Sequence, residues 1–316
     1  MVLEQKEIGT GLQLFMAKVS KQHKRMDEFS MIGEVAKSEM SVKMEIVSIG
    51  NELLIGKTLN TNAQFIAKRA TALGVIVDRI MVVSDDVNEI AGAIRESLKR
   101  HPCFIITTGG LGPTFDDKTL QGIAKSLKRK LQANNDALRM LRGKYQTLLM
   151  GGRIEKVELT PARVKMATFP EGTKPLHNPV GTAPGMVTCV DGTFLIALPG
   201  VPPEMEAIFE ESIVPILKKE VGKSAFFEAS IYVNGIMESS LAPLIDKAMH
   251  DNPRVYIKSH VYTKSHPQTE GRRPHIELHF STRAEDSEIA GDRLEKAIVH
   301  LSELVQNGGG RVSRPA

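Results

Sequence analysis

From Met44 to about Lys219 the chain repeats one pattern. A short, almost wholly apolar run meets a turn of Gly, Asn or Asp, and an amphipathic stretch follows. "MEIVSI", "VIVDRIMVV", "CFIITT" and "FLIALPG" are the apolar runs, and runs of this length bounded by turn residues read as strands. The stretches between them carry helical spacing. Asn60 offers an N-cap for "TNAQFIAKRATALG", where Phe65, Ile66, Ala70 and Leu73 share one face and Gly74 closes the helix. "VNEIAGAIRESLKR" places Ile90, Ala93, Ile94 and Leu98 at the same spacing. Further helices are predicted from about Lys118 to Lys130 and from about Asn135 to Leu149. "PPEMEAIFEESIVPILKK" forms the closing helix, with Pro203 in its first turn. Parallel strands need crossovers, and crossover helices cover both faces of the sheet. The alternation therefore predicts an α/β fold, a three-layer sandwich around a mostly parallel sheet.

The rhythm changes near Ala225. "FFEASIYVNG", "RVYIKSHVY" and "PHIELHFST" read as strands, and "MESSLAPLIDKAMH" and "SEIAGDRLEKAIVHLSELVQ" as helices, which predicts a small α+β domain. Residues 1–43 mix both charge signs without periodicity and read as an N-terminal extension. The expected organisation is thus an extension at 1–43, an α/β domain at 44–222, an α+β domain at 225–307 and a disordered tail at 308–316.

Composition narrows the function. With 316 residues, 41% hydrophobic and 25% charged, two domains with separate cores are expected. A net charge of +4 is mild and points to neither nucleic acid nor a membrane surface, which call for concentrated basic patches. Cys103 and Cys189 sit among apolar residues and read as buried thiols of a reducing compartment. No apolar run approaches the ~18 residues of a membrane span, and the N-terminus lacks the order of a secretion signal. A cytoplasmic protein is expected.

Two segments compete for a phosphate. "GNELLIGKT", Gly50 to Thr58, is one residue out of register for a Walker A loop, with apolar Leu53, Leu54 and Ile55 inside it. "TTGGLGPTFDDKT", Thr107 to Thr119, follows a buried strand and precedes a helix, the place where open parallel sheets bind ligands. Gly109, Gly110 and Gly112 permit close backbone approach and can aim N–H groups at an anion. Asp116 and Asp117 would repel a bare phosphate, so a divalent cation such as Mg²⁺ is expected between them and it. Glu52 follows the first strand, and Asp85 and Asp86 follow the second; a parallel sheet brings all three loops to one edge. Asp86 also reads as a helix cap. "HNPVGTAPGM" and "LPGVPPEM" are rigid turns that can wall the same pocket.

These motifs, in this order from about Met44 to Lys219, resemble the N-terminal domain of CinA proteins, a branch of the MoaB/Mog molybdopterin-binding superfamily. The α+β domain resembles, more loosely, the KH-like domain that follows in those proteins. The resemblance implies metal-dependent hydrolysis of a nucleotide pyrophosphate such as ADP-ribose. Alternatives are molybdopterin binding or adenylyl transfer, and non-catalytic nucleotide binding. By match to the family's acidic motifs it implies catalytic roles for Asp85 and Asp117, with the metal on Asp117 and Asp116. Glu52, Asn60, Gly109, Gly110, Gly112 and Thr182 are implied to contact substrate. Leu111 stands where Mog-type proteins carry threonine, which favours the pyrophosphatase branch. The expected partner is a nucleotide or pterin-type small molecule, with no membrane or nucleic acid, in a homo-oligomer. The chain ends before the deamidase domain of many bacterial CinA proteins, so nicotinamide-mononucleotide deamidation is not expected.

Five histidines of the α+β domain fall between His250 and His279. His275 and His279 have the spacing of a helical metal site, but "HIELHF" alternates as a strand does, which sets them about 13 Å apart. A solvated strand face is expected. No GXXG loop of the KH type appears before "RVYIKS", so packing or dimerisation is expected of this domain rather than RNA binding.

Overall fold

Each of the four apolar runs forms a strand of one sheet. The structure, a computed structural model, describes residues 42–222, 225–262 and 275–315. Residues 1–41 of the extension and His266 lie outside the described residues. Two compact units meet in sequence at Val221 and Gly222.

The first unit opens with β1 (Lys43–Ile49), a short α1 (Asn51–Leu54), α2 (Thr61–Ala72), β2 (Ile76–Val83), α3 (Val87–Lys99) and β3 (Phe104–Thr108). It continues with α4 (Thr119–Leu127), β4 (Leu131–Ala133), α5 (Asn135–Met150), α6 (Pro161–Lys165), β5 (Thr168–Pro170) and β6 (Lys174–Leu176). β7 (Gly185–Val190) and β8 (Thr193–Leu198) lead to the closing helical segment. The sheet order is β2-β1-β3-β8-β7-β6. β1 pairs parallel with β2 and β3, and β3 with β8, whereas β7 and β6 join antiparallel. Every residue of β3 and β8 is buried, as expected for strands covered on both faces. On one face Val47, Ile105 and Leu195 pack in a cluster with Ile90, Ile94, Ile123 and Leu141 from α3, α4 and α5. Across the register Met44–Phe104–Phe194, the rings of Phe104 and Phe194 stack at 5.1 Å.

A buried charge sits in this sheet. Glu45 is 2% exposed and accepts two hydrogen bonds from Arg100, each 2.6 Å. Burial pushes its carboxyl up, but the hydrogen bonds from Arg100 and Ser97 and the charges of Arg100 and Arg79 outweigh that and hold it below its ordinary value.

Two helices differ from expectation. α4 stops at Leu127 because Lys128 takes the left-handed conformation, φ 53°, which ends a helix. The closing helix is three pieces: α7 (Pro202–Ile208), a π segment (Phe209–Ile213) and α8 (Val214–Val221). Pro215 has no N–H and its ring crowds the carbonyl of Glu211, so a widened turn just before it relieves the clash.

The second unit runs β9 (Ala225–Asn234), α9 (Glu238–Asp251), β10 (Val255–Tyr262), β11 (His275–Ala284), α10 (Ser287–Asn307) and β12 (Arg311–Ser313). Its antiparallel sheet has the order β10-β11-β9-β12, the split βαβ arrangement. β12 corrects the expectation of a disordered tail at 308–316: Arg311–Ser313 pair with Asn234–Tyr232, and Val312 packs against the core. Three glycines hid a strand whose partner lies about 80 residues away. Ending the chain at Gly310 is expected to destabilise this unit by about 1–2 kcal/mol through the lost Val312 contact; an unchanged calorimetric midpoint would show β12 to be incidental. "HIELHF" is a strand, and His279 faces Glu228 at 3.2 Å.

Candidate active site

The topology gathers five loops. β1, β2, β3 and β8 run parallel, so the loops after them share one edge of the sheet. β7 runs against β8, with Met186 opposite Ala197, and β6 against β7, with Leu176 opposite Gly185. The 177–184 loop therefore lies at that same edge. The chain passes from β1 to β2 on one side and then to β3 on the other, so a topological switch point opens between β1 and β3, the crevice in which such sheets hold ligands.

The Gly50–Thr58 segment is not a P-loop. Asn51–Leu54 form a helical turn, and the N–H groups of Lys57 and Thr58 donate to Glu52 O at 3.0 and 3.2 Å. They turn inward rather than around a phosphate.

The glycine loop is built differently. Gly109 has φ +106° and its N–H donates to Leu198 O. A Cβ on it would stand 2.2 Å from Ile49 O, so β1 and β3 approach here as only glycine allows. Gly110, φ +66°, abuts Thr119, whose Oγ1 donates to Gly109 O at 2.7 Å. The backbone N–H groups of Gly110, Leu111 and Gly112 donate to no acceptor among the described residues. The N-terminus of α4 has no side-chain cap. Consecutive unengaged N–H groups beside a helix N-terminus form an anion cradle. The Leu111 side chain is 3% exposed in the core cluster, so it serves packing while its backbone N–H stays unengaged.

The acids flank this cradle. Asp85 Oδ2 accepts from Asn51 N at 2.8 Å, which ties the β2 loop to the β1 loop. The Glu52 carboxylate folds over Gly50. Asp117 rests against Gly112 and accepts from Thr114 N at 2.8 Å and Thr114 Oγ1 at 2.7 Å. Asp116 also meets Thr114 Oγ1, and this hydrogen bond, then one from its own backbone and the nearby Lys165 and Lys118, hold its carboxyl below the ordinary range. Lys165 of α6 donates to Thr114 O. Asp86 caps α3, accepting from Asn88 N and Glu89 N. Among the described residues no three His, Cys, Asp or Glu side chains gather as a metal cage. The donor set fits Mg²⁺, which needs one or two carboxylates when substrate phosphates and water complete its shell.

Asparagines do much of the remaining work. Asn60 Oδ1 accepts from Ala63 N and Ser48 Oγ, which makes it the predicted cap. Asn62, which the sequence reading passed over, donates through Nδ2 to Thr108 Oγ1 and Gly200 O, both at 2.8 Å. Gly200 O can only accept, so the amide orientation is determined, and Asn62 Oδ1 is buried with no donor among the described residues. Asn178 organises the loop that contains Thr182: its Oδ1 accepts from Val180 N and Gly181 N, and its Nδ2 donates to Ala183 O and Glu204 Oε2. Lys144, whose ammonium burial pushes toward neutrality, donates to Pro179 O at 2.7 Å.

Residues 45–219 match the family described as a probable molybdopterin binding domain. A protein of Metallosphaera sedula is 43% identical over 270 residues, 85% of this chain and 97% of that protein. A protein of Aeropyrum pernix is 44% identical over 269 residues, 85% of this chain and 95% of that one. The crystal structure of the protein CinA, of unknown function, from Thermoplasma acidophilum shares 43% identity and a TM-score of 0.51; the match covers 56% of this chain and 98% of that one.

Proposed function

This chain belongs to the family of probable molybdopterin binding domains, among archaeal CinA-like proteins, and on that premise we propose that it hydrolyses the pyrophosphate of an ADP-ribose-type nucleotide. The observation that carries this reading is the cradle of three unengaged N–H groups, Gly110 to Gly112, at the switch point with acids on either side. The N–H groups and the end of α4 bind one phosphate. Asp85 and Asp117 are the acceptors that orient an attacking water and take its proton. Asn62 Oδ1 supplies an acceptor for a hydroxyl of the ligand. A divalent ion, when bound, would be held by Asp117 with Asp116 and would neutralise pyrophosphate oxygens and lower the pKa of water.

The protein incubated with Mg²⁺ or Co²⁺ and ADP-ribose, FAD or NAD is expected to release AMP from at least one of them. Asp117→Asn is expected to slow that release about 100-fold or more, because the carboxamide takes no proton. Turnover that survives the substitution would sink the assignment. The family description favours a second reading, in which a pterin phosphate occupies the same cradle. It predicts binding of a pterin phosphate and no AMP from any of the three.

A further inference from the structure

The loop that holds the anion cradle also carries the most exposed large apolar side chain among the described residues. Phe115 is 88% exposed, three residues beyond Gly112. Its exposure is imposed rather than loose. Asp117 N donates to Thr114 O at 3.3 Å, Asp117 Oδ2 accepts from Thr114 N, and Lys165 grips Thr114 O. These bonds close a turn with Phe115 at its tip. No ring or guanidinium among the described residues packs on it. The adjoining loops of the same sheet edge present apolar tips as well: Leu59 is 82% exposed, Ile55 74% and Val201 53%.

A polar cradle with an apolar collar has the chemistry of a ligand with a phosphate at one end and a flat ring at the other. Three residues of chain reach at most about 11 Å, enough for a sugar to stand between the two groups. Aromatic faces stack on heteroaromatic rings whatever their sequence of ring atoms.

We propose that Phe115 is the platform on which the heteroaromatic ring of the phosphate-bearing ligand stacks, and so selects ring-bearing over ring-free phosphates at this site. The inference rests on the phosphate reading of the crevice and adds the ring to it. A purine and a pterin both present such a ring.

The chain contains no tryptophan, so Phe115→Trp places the protein's one tryptophan, excitable apart from its tyrosines at the red edge, at the platform. Saturable quenching by ADP-ribose or by a neopterin phosphate, and none by ribose 5-phosphate, is the expected result; which ring quenches identifies the source. By calorimetry, Phe115→Ala is expected to weaken ADP-ribose (or the pterin) about tenfold and to leave ribose 5-phosphate unchanged. Equal losses for ring-bearing and ring-free ligands, or no loss for either, overturn the proposal. So does dissociation of an oligomer by Phe115→Ala at unchanged ligand affinity, which would make Phe115 an interface residue. If ADP-ribose is bound and cleaved and Phe115→Ala is indifferent, this inference alone fails. If none of the three ligands binds the unsubstituted protein, the phosphate reading fails and the platform falls with it.

Discussion

Gly109→Ala is expected to destabilise the first unit by about 3 kcal/mol or more, a fall of roughly 10 °C in its thermal midpoint. Two costs add. A φ of +106° lies in a region that an L side chain rarely enters. The new Cβ would also stand 2.2 Å from Ile49 O, a backbone atom of a central strand that cannot move without parting β1 from β3. Gly112→Ala is the matched control. Its Cβ would meet Asp117 Oδ2 at 2.6 Å, a side-chain atom that can swing away. That variant is expected to keep its stability to within about 1 kcal/mol while losing turnover, because Asp117 leaves the place that Thr114 gives it. Calorimetry of both variants decides the matter. A Gly109→Ala protein as stable as its parent would mean that the close approach of the two strands is not needed.

Arg100→Ala is expected to cost about 3 kcal/mol at neutral pH. Glu45 is 2% exposed, and the substitution removes two 2.6 Å hydrogen bonds and leaves its carboxylate buried, with Arg79 3.9 Å away as the remaining cation. Glu45→Gln should cost less, because the Arg100 side chain is one-third exposed and regains water. The pH dependence carries a definite sign. The folded carboxyl of Glu45 is held below its ordinary value. The stability it contributes is therefore complete above the unfolded value, about 4.3, and is lost as pH falls through the folded one. Without Arg100, burial favours the protonated form, so the gap between parent and variant narrows as the medium is acidified. Urea titrations at pH 7 and pH 4 measure that gap. A gap independent of pH would remove Glu45 from the account.

Much of the geometry of the candidate site is legible in the sequence. Asp85, Asp117 and the glycines announced themselves because they follow apolar runs, and an apolar run followed by glycine or acid places its residues at a strand's carboxyl end. The 177–184 loop was legible as a rigid turn but not as a hub. Asn178 holds it through Glu204, 26 residues on. Lys144 reads as one more surface lysine until α5 brings it to Pro179 O. The metal pair was read from two adjacent acids. In the fold both lean on the Thr114 hydroxyl, a contact that the adjacency of the two acids does not announce.

The order of the main strands and helices, the mostly parallel sheet and the edge at which its loops meet follow from the sequence alone, because hydrophobic period and turn chemistry act over a few residues. The tertiary structure decided which groups are spent and which are left to act. The orphaned oxygen of Asn62 exists because its amide nitrogen bridges to Gly200, 138 residues away. Leu111 is a core residue, and the glycine-rich tail completes a sheet. Each depends on a contact between distant segments, and such contacts form only when packing brings the segments together, whatever the local pattern of the chain.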